Sequence, residues 1–344
     1  MTRPPLVEAV ASRNIEAAGR LLADGADPNA VDPGNGLAAI MIASGQGDAA
    51  MVKLLLRHGA SVFITDRAAG ATALHKACQG GSLEVVALLT EAGAFINAVV
   101  PSTGHTPLIE ALWFKWPDIV EYLLARGAGL NLNTHYGFTL LEHFQYALNV
   151  NVIGKDKLLR ADSLIKARQE SDRNKVASQR LMAAVMNKDL EAVGRLIAEG
   201  ADLEERYPVL NGFNDEHTPL LVACRDGHCD IARALLQAGA NVNVTEPTFG
   251  AVPLHKATYN GHADITALLA EQPGVDLDFQ GPSNGYAPLH DALWHGYAAC
   301  AEILINAGAR LDLKGHDGKT PLDIATEVFG AEHRTVALLR STRG

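Results

Sequence analysis

Cysteine is scarce in this 344-residue sequence, and its few copies form no recognisable pattern. Cys78, Cys224, Cys229 and Cys300 include no CxxC pair and show no metal-ligand spacing. Such a set provides neither a disulfide framework nor a zinc site. We therefore expect small buried thiols in a reduced, cytoplasmic setting, with no metal ion and no cofactor.

Long apolar runs are also missing. No stretch approaches the roughly 18 apolar residues of a membrane-spanning helix. The opening MTRPPLVEAVASRN lacks the apolar core and cleavage site of a signal peptide. We expect no membrane association, and non-classical secretion stays open. An Ala- and Arg-leaning composition hints at a bacterial source.

The sequence lacks the motifs of common catalytic sites. There is no HExxH, no GxSxG, no Walker loop and no GxGxxG that opens a helix after a strand. The adjacent pairs Glu142-His143 and His316-Asp317 have no nucleophile at a persuasive position. We expect no enzymatic activity, although a site assembled from several parts of the chain would leave no motif.

Positive charge is scarce in the second half of the chain. Residues 181–344 carry 12 Lys+Arg against 22 Asp+Glu, a net charge of −10, whereas residues 1–140 carry 9 against 12. A nucleic-acid backbone needs a basic surface, so no nucleic-acid ligand is expected. A partner protein with a basic surface fits this charge better.

What the sequence does contain is a repeat of 34 residues. The segment ALWFKWPDIVEYLLARGA aligns without a gap on AVASRNIEAAGRLLADGA, 102 positions earlier. A leucine or isoleucine opens ten units, at positions 6, 40, 74, 108, 141, 181, 220, 254, 289 and 322. Only the gaps of 40 and 39 residues before positions 181 and 220 depart seriously from the period. A fixed period of this length indicates a solenoid.

Each unit has the pattern of two short amphipathic helices. In GHTPLIEALWFKWPDIVEYLLARGAGLNL, apolar residues recur at helical spacing. Thr106 can cap the first helix, and Pro107 suits its first turn. A glycine such as Gly81 usually separates the two helices, because a left-handed conformation costs glycine little. Segments rich in Asp and Asn then predict turns.

The segments ATALHKAC, HTPLIEAL, HTPLLVAC, AVPLHKAT, YAPLHDAL and KTPLDIAT, joined to IVxxLLxxGAxxN endings, resemble the ankyrin repeat. The resemblance covers nearly the whole chain. It implies an all-α solenoid of helix-turn-helix units with short projecting β-hairpins, in which neighbouring units bury each other's apolar faces. It also implies a monomeric protein–protein interaction module or scaffold that binds a partner protein through the concave groove and the hairpins.

An alternative function stays open at this point. The acidic second array is also compatible with a dedicated inhibitor or antidote that masks a basic enzyme or toxin. Binding that collapses with added salt would favour this alternative, since exposed charges are screened.

The resemblance assigns structural roles to many polar residues. The signature histidines His75, His255 and His290 are expected to bond backbone between adjacent units rather than act as bases. Acidic and amide residues are expected to shape the turns, and they are Asp27, Asn29, Asn97, Asn131, Asn241, Asn243 and Asp312.

The regular pattern is interrupted near the middle of the chain. LMAAVMNKDLEAVGRLIAEGAD, which begins at Leu181, resembles the first unit and lacks the signature. This second start predicts two arrays, residues 1–144 and 178–344, joined by a helical insert or linker over residues 145–177. Either the stack continues through a helical insert, which we favour, or a long helix joins the two arrays.

Two local features accompany this interruption. Between Lys155 and Val193 there is no glycine or proline, which favours helix. The second helix of the fifth unit could contain Leu158, Leu159, Leu164 and Ile165. Ser171 and Ser178 are possible caps that would divide the stretch into separate helices. The second long gap, ADLEERYPVLNGFNDEHTPL, carries Tyr207, Pro208, Leu210 and Phe213 and is a candidate contact loop.

Aromatic residues make up only 6% of the sequence, yet WFKW places three of them at positions 113–116. In ankyrin-like units the two residues after the first-helix alanine pair tend to face the groove and vary with the partner. We apply these groove-facing positions to each repeat of this sequence and add the neighbouring aromatic residues. The resulting candidate partner-binding residues are Trp113, Phe114, Trp116, Tyr146, Tyr259, Trp294, His295 and Tyr297. For Trp116, packing on a neighbouring unit is the competing interpretation.

Lys115 departs from the repeat, which has glycine at this position. A lysine in the left-handed conformation costs on the order of 1 kcal/mol. We therefore expect the turn to be reshaped, with Pro117 starting the second helix.

Overall fold

The computed structural model describes residues 2–135, 137–206 and 216–342. Within these ranges the chain forms twenty α-helices and no β-strand, so the all-α prediction is confirmed. Where short β-hairpins are expected, the described residues form turns, and three of these turns carry one isolated antiparallel bridge each, at Val31–Ala38, Thr65–Thr72 and Asn133–Thr139. The candidate contact loop with Tyr207, Pro208, Leu210 and Phe213 lies outside the described residues.

The twenty helices form ten consecutive pairs, one pair for each predicted repeat unit. The chain divides into two compact units, with the boundary between Asn174 and Lys175. The helices that begin in the first unit are α1 (Pro5–Ala11), α2 (Ile15–Ala23), α3 (Ala39–Gly45), α4 (Ala49–Arg57), α5 (Ala73–Gly80), α6 (Leu83–Glu91), α7 (Pro107–Trp113), α8 (Pro117–Ala125), α9 (Leu140–Val150) and α10 (Lys155–Ser178).

The second compact unit repeats the same arrangement. Its helices are α11 (Arg180–Met186), α12 (Leu190–Ala198), α13 (Pro219–Asp226), α14 (Cys229–Gln237), α15 (Pro253–Tyr259), α16 (Ala263–Ala270), α17 (Pro288–Trp294), α18 (Ala298–Asn306), α19 (Pro321–Phe329) and α20 (Arg334–Thr342). From α1 to α8 and from α11 to α20, each helix packs against its own partner, and neighbouring pairs pack first helix on first helix and second helix on second helix. α9 packs against α7. α10 joins the core of the first unit through Leu158, Ala161 and Ile165. Apolar faces that one pair cannot bury alone are covered in this way.

The helix ends follow the local chemistry expected from the sequence. Thr106 caps α7, because its hydroxyl oxygen accepts a hydrogen bond from the Ile109 N–H at 3.3 Å. Pro107 is the first residue of that helix. Gly81 ends α5 in the left-handed conformation, with φ of 80°. Both predictions are confirmed.

Polar side chains tie successive repeats together through backbone. The Asn97 side-chain oxygen accepts a hydrogen bond from the Gly129 N–H at 2.8 Å. The signature histidines make the expected bonds between units, and burial lowers the pKa of His75 and of His255 to about 4, so these rings are neutral at pH 7. Their Nε2 atoms lie near carbonyl oxygens of the next unit, His75 to His105 at 3.2 Å, His255 to Tyr286 at 3.0 Å and His290 to Leu313 at 3.2 Å.

α10 is one uninterrupted helix of 24 residues. The prediction that Ser171 divides this stretch is wrong, because the helix continues through it and ends at Ser178. Leu158 and Ile165 are buried in the core of the first unit, as the second helix of a repeat requires, whereas Leu159 is half-exposed. Arg168 adds a link to the preceding pair, since its Nη1 donates a hydrogen bond to the Leu124 carbonyl at 2.8 Å.

The α7–α8 turn keeps the shape of the other turns, and the expectation that Lys115 would reshape it is wrong. Lys115 adopts the left-handed conformation with φ of 62°. Its ammonium donates hydrogen bonds of 2.8 Å to the Asn151 side-chain oxygen and to the Ile153 carbonyl. These tertiary bonds offset the conformational cost of about 1 kcal/mol. Pro117 starts α8, as expected.

Candidate functional site

Trp113 and Trp294 occupy the same place in their repeats. Each is the last residue of a seven-residue first helix, α7 or α17. Their side chains are 50% and 54% exposed, respectively. The repeat core therefore does not use them, and both compact units present an indole ring to solvent at the same repeat position.

In the second unit the predicted aromatic residues lie together. We call the set Tyr259, Tyr286, Trp294 and His295 the Trp294 surface. The His295 ring contacts both Tyr259 and Trp294, with centroid distances of 4.1 and 4.7 Å. Tyr286, which the sequence did not single out, joins them through an edge contact of 6.4 Å with Trp294. Edge-to-face pairs in this distance range hold the rings in a defined arrangement.

Tyr297 and Trp116 share a different position, the residue before the second helix of a pair. A Cβ atom added to Gly261 would lie 2.7 Å from the Tyr297 ring, and one added to Gly81 would lie 2.4 Å from the Trp116 ring. Both rings therefore sit on the turn glycine of the preceding repeat. The Trp116 Nε1 also donates a hydrogen bond of 3.4 Å to the Gln79 carbonyl.

Trp116 also has a neighbour on α10. The Lys157 ammonium of α10 lies 5.0 Å from the centre of its ring, within cation–π range. The side chain is half-buried and packs against the core of the first unit. The packing interpretation thus describes the surroundings of Trp116, whereas Tyr297 keeps 39% of its surface exposed.

Among the predicted partner-binding residues of the first unit, Trp113, Phe114 and Tyr146 are exposed. The ring beside Trp113 is His143, at a centroid distance of 5.1 Å. His143 precedes Tyr146 by one helical turn on α9, and Trp113 reaches it because helical side chains lean toward the helix N-terminus. Within the described part of the chain, neither Phe114 nor Tyr146 makes a ring–ring contact.

The α9–α10 loop adds apolar residues that the sequence analysis missed. The hydrogen bond from Lys115 to the Ile153 carbonyl holds this loop beside the α7–α8 turn. Val152 and Ile153 are 87% and 85% exposed. We call the set Trp113, Phe114, Tyr146, Val152 and Ile153 the Trp113 surface. No short-range signal in the sequence indicated this contact.

Trp113 and Trp294 each have a buried acidic residue three positions before them, and the two carboxyl groups have different surroundings. Glu110, before Trp113, accepts hydrogen bonds from the Gln79 amide at 3.1 Å and pairs with His105 Nδ1 at 3.0 Å. Burial alone would raise the pKa of Glu110, but these two partners bring the pKa below its ordinary value. The carboxylate is therefore satisfied inside the protein.

Asp291, before Trp294, is only 7% exposed. The repeat positions of Gln79 and His105 are here occupied by Tyr259 and Tyr286. No hydrogen bond to the Asp291 carboxyl is found in the described ranges, and burial raises its pKa to about 7, partly offset by the Lys256 charge. Asp291 is not among the residues predicted from the sequence, although an acidic residue in the buried first helix of a repeat was a visible signal.

The charged and thiol groups elsewhere show no arrangement suited to metal binding. In the described ranges, no group of three or more His, Cys, Asp and Glu side chains could hold a metal ion. The four cysteines are free thiols, three of them buried. None of the helices described is long and apolar enough to cross a membrane.

Comparison with known sequences gives several relatives. The chain is 38% identical over 135 residues to the rat and mouse proteins called ankyrin repeat domain-containing protein 46, a match that covers 39% of this chain and 56% of theirs. It is 42% identical over 65 residues to human protein phosphatase 1 regulatory subunit 27, which covers 19% of this chain and 38% of that protein. The chain thus spans about half the length of the first two relatives.

The family comparison covers far more of the chain. The sequence profile described as ankyrin repeats (3 copies) matches residues 6–100, 40–135, 157–246, 181–281 and 238–315. These overlapping matches include both compact units and agree with the ten helix pairs. This chain belongs to the ankyrin-repeat family.

Proposed function

We propose that this chain binds a partner protein through the Trp113 surface and the Trp294 surface. Ankyrin repeats bind other proteins, and one relative of this chain is a regulatory subunit of protein phosphatase 1. The observation that carries the proposal is the repeat position shared by Trp113 and Trp294. At that position both rings are about half-exposed although the surrounding helix is buried.

Energetics also favours these rings as anchors. Tryptophan and tyrosine dominate the binding free energy of many protein interfaces, and truncating one such anchor costs roughly 2 kcal/mol or more. Neighbouring rings and the apolar α9–α10 loop add area that would exclude water. Charge adds a preference, since residues 181–344 carry 12 basic against 22 acidic residues. The partner is therefore proposed to present a basic surface to the second unit.

Alanine substitutions test this proposal. We expect Trp113→Ala and Trp294→Ala to leave the helical circular dichroism spectrum unchanged and to weaken capture of the partner at least about tenfold. Capture would be quantified by pull-down of the intact chain from its native lysate with mass spectrometry.

The matched control is Leu190→Ala. Leu190 is an apolar residue at the start of α12 with 44% exposure, and it belongs to neither surface. Its replacement is expected to leave capture unchanged. Equal capture by wild type and both tryptophan variants, or loss of helicity in those variants, would contradict the proposal.

A further inference from the structure

Asp291 carries a mostly buried carboxyl group that accepts no hydrogen bond from the described residues. Only 7% of the Asp291 surface is exposed. The positive charge of Lys256 acts on Asp291, but the Lys256 ammonium is paired with Glu246 at 3.5 Å. A buried carboxylate without donors is costly for the fold.

At the same repeat position of the first unit, the buried carboxylate of Glu110 has hydrogen-bonding partners. Glu110 has the Gln79 amide and the His105 ring as partners. In the second unit both partners are replaced by tyrosines, and Tyr286 directs its hydroxyl to Asp317 at 2.9 Å. The chain therefore contains one satisfied and one unsatisfied version of the same arrangement.

The groups around Asp291 favour a positive ligand. The Tyr286 and Trp294 rings meet edge to face at 6.4 Å. Asp291, Asp317 and Glu327 all act on Tyr286, whose pKa is raised to about 12 by burial, by its hydrogen bond to Asp317 and by these three negative charges. Aromatic faces attract cations through their quadrupole, and a nearby carboxylate adds a direct charge.

We propose that Asp291, with the rings of Tyr286 and Trp294, binds one arginine side chain of the partner protein. This proposal rests on the proposed function and names the chemistry that the Trp294 surface recognises. Arginine fits better than lysine because its planar guanidinium can stack on a ring while it donates hydrogen bonds to a carboxylate. The Trp113 surface lacks this preference, since Glu110 is already satisfied.

The three tryptophans allow a direct test on the intact chain. A ¹⁵N-labelled protein gives three indole N–H signals, which Trp→Phe variants assign to Trp113, Trp116 and Trp294. The probes are N-acetyl-arginine amide, N-acetyl-lysine amide and the neutral N-acetyl-citrulline amide, each titrated at constant ionic strength. We expect the arginine amide to shift the Trp294 signal saturably, the lysine amide to bind more weakly, and the Trp113 signal to stay in place.

Two variants separate the carboxylate from its surroundings. Asp291→Asn is expected to weaken binding of the arginine amide at least about tenfold. Glu110→Gln, at the matched position, is expected to leave it unchanged. Equal shifts with the citrulline amide, or unchanged binding in Asp291→Asn, would overturn the proposal.

Failure of this inference is distinguishable from failure of the proposed function. If the arginine amide does not bind while Trp294→Ala still loses the partner, the surface binds a protein by other contacts and the inference falls. If the amide binds at Asp291 but neither tryptophan variant loses the partner, the proposed function falls and the cation site has another ligand.

Discussion

Replacing Gly81 with alanine is expected to lower the free energy of unfolding by about 3 kcal/mol, because two penalties combine. Gly81 has φ of 80°, which an alanine tolerates poorly. Its new methyl group would also lie 2.4 Å from the Trp116 ring. Urea denaturation followed by circular dichroism measures the loss.

A matched glycine isolates the contribution of Trp116. Gly93 has φ of 90° and no described atom within 4 Å of an added Cβ, so Gly93→Ala should cost only about 1 kcal/mol. In a Trp116→Ala background the cost of Gly81→Ala should fall to a similar value. Equal costs for the two single glycine variants would show that the Trp116 ring does not rest on this turn.

The second large effect concerns Asp291 and has an unusual sign. Asp291→Asn is expected to raise the free energy of unfolding at pH 8 by about 3 kcal/mol. Burial raises the pKa of Asp291 from an ordinary 3.8 to about 7. Between these pH values the folded chain keeps a proton that the unfolded chain releases. Stability therefore falls as pH rises from 4 to 7 and stays lower above pH 7.

An asparagine does not ionise, so its advantage should shrink toward zero as the pH is lowered to 4. Glu110→Gln should have the opposite effect at pH 8, a loss of about 2 kcal/mol, because its carboxylate is hydrogen-bonded in the fold. Urea denaturation of both variants at the two pH values measures this difference. A destabilised Asp291→Asn at pH 8 would mean that the carboxylate is already satisfied within the fold.

A carboxylate kept at such a cost is informative about function. A single substitution such as Asp291→Asn would remove this loss of folding stability. Natural proteins keep a destabilising group mainly where their activity needs it. The satisfied Glu110 of the first unit shows that the repeat itself does not require the arrangement at Asp291. This contrast supports the assignment of a ligand to the Trp294 surface.

Most of the fold could be predicted from the sequence because the repeat encodes it locally. Caps such as Thr106, turn glycines such as Gly81 and the spacing of apolar residues depend on neighbours within one unit. The bonds from His75 and the other signature histidines to the next unit were predicted from the family resemblance. Ten helix pairs at the predicted positions follow from these signals.

Departures from prediction arise where distant residues decide. Lys115 keeps a left-handed turn, as Arg13 and Lys188 do at the same repeat position. Its hydrogen bonds to Asn151 and to the Ile153 carbonyl join residues far apart in the chain, and no local pattern contains that information. Ser171 does not end α10, since a serine within a well-packed helix need not act as a cap.

The candidate site was predictable only in part. The repeat position of Trp113 and Trp294 singled them out in the sequence, and their side chains are about half-exposed. That they face a groove and bind a partner stays a prediction. Asp291 could not be predicted, because the hydrogen bonding of its carboxyl group depends on side chains outside its own helix. A carboxylate beside Gln79 and His105 is ordinary, whereas one beside two tyrosines is unsatisfied.

Photo-crosslinking tests most directly whether the partner contacts the two aromatic surfaces. The photo-reactive residue p-benzoyl-phenylalanine would replace Trp113, Trp294 or, as the control, Leu190 in the intact chain, followed by irradiation in native lysate and mass spectrometry. The account predicts that positions 113 and 294 crosslink to the same partner protein and that position 190 does not. Crosslinks to that partner from position 190, with none from positions 113 and 294, would contradict it.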